Sequence, residues 1–335
     1  MILIFSISRD QATNGVVPWL DYLGCPYIRL NDDEPPPGDF SYELTNTGFR
    51  FRWKGRWRDA SEVSAVWYRK GSFFFPQPHR APPAFEGQPA LNEVLAGKLK
   101  SEPRAAARYF HELVRAASIR TLGNAILGDP NKLVVLDRAR RCGLSIPSFT
   151  ISDRINERQR RDPECYVTKA MSDGVYLWDA DCALRGYFSY TEQLTEVIDG
   201  VADEESIPVS MIQEKIEKNF EVRSFFLDGR FASCAIYSQD DPQTALDHRK
   251  YNMEKPNRNL PMVLPGEVSS QLVELFRSLE LNTGSVDMIV DTEGRFVFLE
   301  INPVGIYGGM QSACNYQIDR AVANWLGGVE DHDWC

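Results

Sequence analysis

The run VDMIVDTEGRFVFLEINP, residues 286–303, constrains this chain more than any other stretch. Two β-rich segments flank a Glu293-Gly294 pair, and a hairpin closed by that two-residue turn sets Asp287 opposite Glu300. Opposed residues share one face of the ribbon. Alternation brings Asn302 to the same face, two residues beyond Glu300. Two carboxylates and an amide oxygen then converge on a rigid ribbon, a hard-oxygen set of the kind that holds Mg²⁺ beside phosphate groups. A solvated polar face is the alternative for two carboxylates on a strand. It fits poorly with Glu300, which lies inside the apolar run FVFLEI, where an unpaired charge is costly.

Around this hairpin the chain reads as α/β. Its 335 residues, at roughly 150 per domain, make about two domains. Ile2–Ser6 reads as a first buried strand, a helix follows near Gly15–Leu23, and NDDEPPPGD, with consecutive prolines, is a loop. In GFRFRWKGRWRDA, Phe49, Phe51 and Trp53 alternate with Arg50, Arg52 and Lys54 ahead of a Lys54-Gly55 turn. That is the pattern of a half-buried hairpin with a basic outer face. After AVWYRK and a proline-rich stretch, Ala106, Tyr109, Phe110, Leu113 and Ala117 recur at helical spacing. At LGDPNKLVVLDRARRCGLSIP a helix opens a new unit: Asp129 suits a cap, Pro130 a first turn and Gly143 the position past the end. CYVTKA and PVSMIQEKI read as strands, and VRSFFLDGRFASCAIYS as two strands joined at Asp228-Gly229. The polar segment QDDPQTALDHRKYNMEKPNRNLP is long enough to be a functional loop. VSSQLVELFRSLEL is a helix leading into the acidic hairpin, and a helix near Ile318–Leu326 follows it.

Charge and cysteine usage narrow the function classes. Thirty-seven Lys and Arg against 47 Asp and Glu give a net charge of −10, which repels nucleic acid and anionic membranes. No run approaches the ~18 apolar residues of a membrane span, and MILIFSIS lacks the basic start and length of a signal peptide. The seven Cys are scattered, with no C-x-x-C pair, and the four His are dispersed, which disfavours a disulfide framework or a zinc site. A cytoplasmic protein with no nucleic-acid or membrane partner is the expectation.

Asp287, then Glu300 thirteen residues on, then Asn302, is a pattern that resembles the metal signature of the ATP-grasp superfamily. Within MIQEKIEKNFEVR, the resemblance implies that Glu214, Lys215 and Ile216 frame an adenine at an inter-lobe hinge and that Glu221 holds the ribose hydroxyls. A strand end can offer backbone groups to a base edge, and a carboxylate can accept from two hydroxyls. Lys132 and Lys169 match the two lysines that such enzymes aim at ATP phosphates, and MSDGV resembles, weakly, a phosphate-covering loop. There is no G-x-x-x-x-G-K-[ST] motif, so a P-loop is not expected. Related ligases place an arginine two residues before the metal Asp. Here that position is Ser285, which shifts the work on the transferring phosphoryl to Arg223 and Arg249.

A closer resemblance runs through VWYRKG, LGDPNKLVVLDRARRCGL, TKAMSDGVYLWD, SQDDPQTALDHRKYN, PNRNLP, LNTGSVD and FLEINPVGIYGGMQSACNY. These strings are similar to the ATP-grasp peptide maturases of the grasp-with-spasm type, grouped with the microviridin-type ligases that make graspetides. The resemblance implies an α/β ATP-grasp fold with an N-terminal Rossmann-like pre-ATP-grasp domain at 1–125 and two lobes clasping ATP at 126–212 and 213–335. It also implies ATP and Mg²⁺ as cofactors and a ribosomally made precursor peptide, leader plus core, as partner. The reaction would join Asp or Glu side chains of that peptide to Ser, Thr or Lys as ω-ester or ω-amide rings. Relatives suggest a homodimer. The basic hairpin carrying Arg50, Arg52, Arg56 and Arg58 is one candidate for peptide recognition, and the loop Gln239–Arg258 is another. Two other readings remain open here: a RimK-like ligase acting between molecules, and a nucleotide-binding regulator without turnover.

Overall fold

The computed structural model describes residues 1–335 apart from 72, 74–84, 86, 125–129, 173–175, 179–185, 189, 200, 203–204, 251, 331–333 and 335. The chain divides into two compact units, residues 1–128 with 317–335, and residues 129–316.

In the first unit β1 (Ile2–Ser6), α1 (Gln11–Tyr22), β2 (Tyr27–Asn31), β3 (Ser41–Thr45), β4 (Gly48–Trp53), β5 (Arg56–Asp59), β6 (Ala65–Tyr68), α2 (Pro89–Ala116) and β7 (Arg120–Leu122) follow in order. Strands β2-β1-β6-β7 make a parallel sheet. Every residue of β1 is buried, as an unbroken apolar strand in a parallel sheet must be. Leu3 and Phe5 share a core cluster with Phe110 and Val114 of α2 and with Phe49 and Phe51 of β4. Asp10 caps α1 by accepting from the Thr13 amide at 2.8 Å, and Arg69 and Lys70 pair with its buried carboxylate.

Strands β3-β4-β5 form the basic hairpin sheet, but its arginines have local carboxylate partners: Arg50 with Glu43, Arg52 with Asp39, and Arg56 and Arg58 with Glu62. Three carboxylates thus offset part of the charge of four arginines.

The sequence places the chain's last residues in the 213–335 lobe. They pack with the first unit instead. The last helix, Ile318–Gly327, buries Ile318, Ala321, Val322 and Leu326, and Arg120 donates to the Trp325 and Leu326 carbonyls at 3.0 and 3.2 Å. An amphipathic helix of this kind needs an apolar partner and finds it on α1.

The second unit contains α3 (Lys132–Arg141), β8 (Phe149–Ser152), α4 (Glu157–Arg161), β9 (Tyr166–Lys169), β10 (Tyr176–Trp178), β11 (Gly186–Phe188), β12 (Glu192–Gln193), α5 (Leu194–Ile198) and β13 (Ser210–Glu214). It continues with β14 (Lys218–Leu227), β15 (Arg230–Tyr237), α6 (Pro242–Ala245), β16 (Arg258–Met262), α7 (Gly266–Ser278), β17 (Thr283–Asp291), β18 (Phe296–Asn302) and α8 (Gly308–Cys314). Two antiparallel sheets organise it, β12-β9-β13-β8 and β16-β15-β14-β17-β18. Helix α7 packs on the second sheet, where the Phe226 and Phe276 rings stack 4.0 Å apart.

Two local expectations are corrected. Helix α3 is capped by Asn131, whose side chain accepts from the Leu133 and Val134 amides at 3.0 and 3.3 Å, and Asp129 lies outside the described residues. In the acidic hairpin the ladder pairs Val290 with Phe296 and Met288 with Phe298, one residue out of step with a Glu293-Gly294 two-residue turn. The Asp291 carboxylate accounts for this, since it accepts from the Glu293 and Arg295 amides and builds a wider turn. A β-bulge between Asp287 and Met288 in the ladder then takes up the difference, with Leu299 as the extra residue on β18. Asp287 opposes Glu300 after all.

Candidate functional site

A cavity of about 430 Å³ lies between the two sheets of the second unit. Its upper wall is one face of β9 and β13. Val167 pairs with Gln213 and Lys169 with Met211, so these four side chains share that face, opposite Ile212 in its own core cluster. Ile289 of β17 and Leu299 of the bulge form the lower wall. The strand crossover Glu214–Lys218 makes one end, and Gln239, Pro242 and Leu246 of the long loop close another side. The result is a slot with aliphatic walls and a polar rim.

The segment Glu214, Lys215 and Ile216 lies on this wall. The Glu214 and Lys215 amides are spent on the Ser148 and Cys165 carbonyls at 2.8 and 2.9 Å, and the Ser148 hydroxyl donates to the Glu214 carboxylate at 2.8 Å. The backbone of Ile216 makes no hydrogen bond to another described residue.

At the end of the slot marked by Lys169 the charges concentrate. Packing of α3 on β18 brings Lys132, the first helical residue, to 3.7 Å from Glu300. Arg223 on β14 is the register partner of Asp287 and forms a two-point pair with it, Nε and Nη2 each donating at 2.9 Å. Arg249 is held by Asp247 through Nε at 2.9 Å and Nη2 at 2.6 Å, while Asp247 also accepts from the Thr191 amide. Burial would raise the Glu300 carboxyl, but Lys169, Lys132, Arg249 and Arg223 outweigh it and hold Glu300 below the usual carboxylate range. Burial pulls the Lys169 ammonium below its usual value, against the opposing attraction of Glu300. Asp247 keeps the Arg249 guanidinium firmly charged.

The donors at this end suit a hard divalent cation. Among the described residues no three His, Cys, Asp or Glu side chains cluster as a metal site, and the amide that accompanies Asp287 and Glu300 on the hairpin is Asn302. Asn302 pairs with Ser285 two residues along the same ladder from the carboxylates. Its Oδ1 accepts from the Val304 amide at 3.0 Å, which leaves a second lone pair. Oxygen-only donors, with the Glu300 carboxylate favoured by surrounding cations, match the preference of Mg²⁺.

The structure thus brings Lys132, Lys169, Arg223, Arg249, Asp287, Glu300 and Asn302 together and sets Glu214, Lys215 and Ile216 on the slot. Glu221 stands apart. It is buried behind Lys218, and its carboxylate is committed to the Lys218 ammonium, the His248 ring and the Ser238 hydroxyl, the last at 3.0 Å. Lys218 reaches the slot wall, while the Glu221 carboxylate that the resemblance assigns to the ribose hydroxyls is taken up by these neighbours. Spacing alone could not show that Lys218, three residues earlier, folds back onto the carboxylate. Ser285, where related ligases place an arginine, is buried with an unpartnered hydroxyl and pairs with Phe225, while Arg223 is the register partner of Asp287 itself. His248, read from sequence as a loop residue, proves to be a member of the buried cluster. Alternation along VSMIQE, which puts Gln213 on the same face as Met211, was the available signal for Gln213. Residues 173–175 of the MSDGV segment lie outside the described residues.

The buried trio carries a pH prediction. Burial would lower His248, but hydrogen bonding to Glu221 and its charge raise it above 6.5. Burial would raise Glu221, but His248 and Lys218 lower it below 4.5. A raised His pKa stabilises fully below the unfolded value, and the effect is lost as pH rises through the folded value. A depressed Glu pKa stabilises above the unfolded value, and the effect is lost as pH falls through the folded one. Glu221→Gln should therefore cost most near pH 5–6, by about 3 kcal/mol because Lys218 is left buried without its counter-charge. The difference in thermal midpoint between variant and wild type should narrow above the raised His248 pKa. A pH-independent difference would separate His248 from the pairing.

A second, smaller cavity of about 140 Å³ adjoins the charged end, lined by Arg223, His248, Asn257, Asn259, Tyr307 and Met310. The Asn259 Oδ1 is buried there without a partner.

No family model matches the chain, and no curated protein matches it in sequence. Solved structures do. It is similar to macrocyclase MdnC of Microcystis aeruginosa, bound with precursor peptide MdnA, at 23% identity and a TM-score of 0.70, covering 98% of this chain and 99% of that one. A RiPP-associated ATP-grasp ligase of Chryseobacterium gregarium, in complex with ADP and a leader and core peptide, matches at 21% identity and 0.72, covering 99% and 98%. D-alanyl-alanine synthetase A of Vibrio cholerae matches at 10% identity and 0.52, covering 98% and 97%. The chain has the ATP-grasp fold.

Proposed function

We propose that this protein is an ADP-forming ligase that activates Asp or Glu side chains of a ribosomally made precursor peptide and closes them onto Ser, Thr or Lys of the same peptide. The observation that carries this reading is the convergence of four cations, Lys132, Lys169, Arg223 and Arg249, on two paired carboxylates at one end of an aliphatic slot. That is an arrangement for a purine nucleotide with its phosphates beside a metal. The two solved relatives that carry peptide, one of them with ADP, share the fold over almost the whole chain and support the peptide as substrate.

In this reading residues 129–212 and 213–316 are the two lobes. The slot takes the base, with Glu214, Lys215 and Ile216 along its edge. Lys132 and Lys169 hold the phosphates. Asp287, Glu300 and Asn302 would hold Mg²⁺, which would supply positive charge beside the phosphates. A peptide carboxylate attacks the γ-phosphorus, ADP leaves, and an acylphosphate forms. A hydroxyl or amine of the same peptide then attacks the acyl carbon and displaces phosphate, losing its proton. Arg223 and Arg249 neutralise the phosphoryl group as it passes. Arg223 also lines the smaller cavity, which would hold the peptide carboxylate in line.

The same reading makes the protein cytoplasmic and independent of nucleic acid and membranes, in keeping with its charge of −10. No helix among the described residues is long and apolar enough to cross a membrane. A homodimer is part of the reading on the strength of the resemblance alone.

Incubation with ATP, Mg²⁺ and a Thr/Ser- and Asp/Glu-rich peptide encoded beside the gene should give one ADP and the loss of one water mass per ring. Mass gain on an acceptor fed with free amino acids would instead show ligation between molecules. Absence of peptide-dependent ADP with any neighbouring peptide would sink the proposal.

A further inference from the structure

Ring closure leaves a proton to be placed. The hydroxyl or amine that attacks the acyl carbon loses it, and inorganic phosphate departs with the electron pair of the broken C–O bond. A group that accepts this proton must border the space where the acyl carbon lies, about 3 Å from the attacking atom. In the proposed reaction that space is the smaller cavity, lined by Arg223.

His248 lines the same cavity. Its Nδ1 is hydrogen-bonded to a carboxylate oxygen of Glu221, and its Nε2 makes no hydrogen bond to another described residue. A carboxylate only accepts, so Nδ1 carries a hydrogen and the lone pair of the neutral ring is at Nε2. Glu221 is fixed in turn by the Lys218 ammonium and the Ser238 hydroxyl. Glu221 and Arg223 are two residues apart on one face of β14, so a ring held by the first is carried to the cavity lined by the second. Glu221 pairs with Ile236, and Ile236 with Asn259, in one row across β14, β15 and β16. Asn259 thus shares that face, and its buried Oδ1 lacks a donor. A buried acceptor beside a basic nitrogen is complementary to a group that brings hydrogens. Arg223 suits the carboxylate, and His248 with Asn259 suits the group that attacks it. The charged neighbours of the ring are Lys218, Glu221 and Arg223 of β14, Asp287 of β17, and Asp247 and Arg249 beside it in the loop. Burial disfavours the charged ring, but Glu221 and Asp287 favour it and prevail over burial and Arg223, so the ring can hold a proton it takes.

We infer that His248 is the general base of ring closure, its Nε2 taking the proton that the Ser, Thr or Lys side chain loses as it attacks the acylphosphate, with Glu221 as its positioning residue. This rests on the proposed ligase reaction and adds to it the group that receives the proton. A hydroxyl gives its one hydrogen to His248 and leaves Asn259 to an N–H of the peptide, whereas a lysine amine has hydrogens for both.

Hydroxylamine, a nucleophile that captures acylphosphates without help from a base, separates the two halves of the reaction. In its presence the peptide partitions between ring and hydroxamate, both counted by mass, and the ratio is set after the acylphosphate has formed. A smaller amount of folded enzyme lowers both products alike and leaves the ratio alone. With ATP, Mg²⁺ and the neighbouring peptide, His248→Gln should lower the ratio of ring to hydroxamate about 10²-fold. An unchanged ratio would overturn the assignment while leaving the ligase standing. In wild type the ratio should fall in heavy water, because a proton moves during closure. Equal ratios in heavy and ordinary water would also overturn it, and this comparison decides the matter if the variant does not fold. Failure of wild type to give ADP, ring and hydroxamate alike would remove both readings.

Discussion

Glu300→Gln should lower peptide-dependent ADP formation by about 10²–10³-fold with the fold retained. The substitution keeps the shape of the side chain and removes one charge, and that charge has two tasks. It supplies the anionic oxygen donor opposite Asp287, and it is the carboxylate facing Lys132 and countering the burial of Lys169. Without it, burial acts on Lys169 unopposed by its strongest attraction, so the charged ammonium is further disfavoured and its grip on a phosphate weakens. Affinity for the divalent cation should fall in parallel, read as a higher Mg²⁺ concentration for half-maximal turnover. Circular dichroism matching wild type would show that loss of activity is local. Wild-type turnover in this variant would remove Glu300 from the site.

Arg223→Lys should cost about 10²-fold in kcat, with the KM for ATP little changed. Charge is preserved, so any loss reports geometry. The guanidinium meets both oxygens of Asp287 at 2.9 Å and still lines the adjoining cavity. A lysine can meet one oxygen and has no rigid fork with which to span carboxylate and phosphoryl together. Arg223→Ala should be worse, because Asp287 and Glu300 would then face each other with less positive charge between them. A substitution to Lys that leaves kcat unaltered would confine Arg223 to a structural role.

Much of this site can be read in the sequence because it is built from strand alternation. Val167, Lys169, Asp287, Glu300 and Asn302 fall on the right faces by counting in twos, and the cap and periodic pattern near Lys132 mark a helix start. What could not be read depends on contacts between distant segments. Glu221 matches a ribose carboxylate by spacing, yet its real neighbours are Lys218 on its own strand and His248 in a loop. Arg223 meets Asp287 only because β14 pairs with β17 in one register. The terminal helix joins the first unit because of an apolar face on α1, a partner more than 300 residues away that no local pattern reveals.

The hairpin is instructive for a different reason. A simple turn-and-count reading puts Asp287 opposite Glu300. The protein reaches the same pairing by widening the turn at Asp291 and then inserting Leu299 as a bulge. Removing the single codon for Leu299 would carry Glu300 into the place that a regular ladder assigns opposite Asp287. The carboxylate pair and the wall of the slot are therefore separately encoded: the gene can lose the apolar residue that touches one part of the cavity without losing the acidic one that serves the other. Variation at that one codon is a route by which such a hairpin could reshape the cavity wall while its carboxylate pair stays fixed.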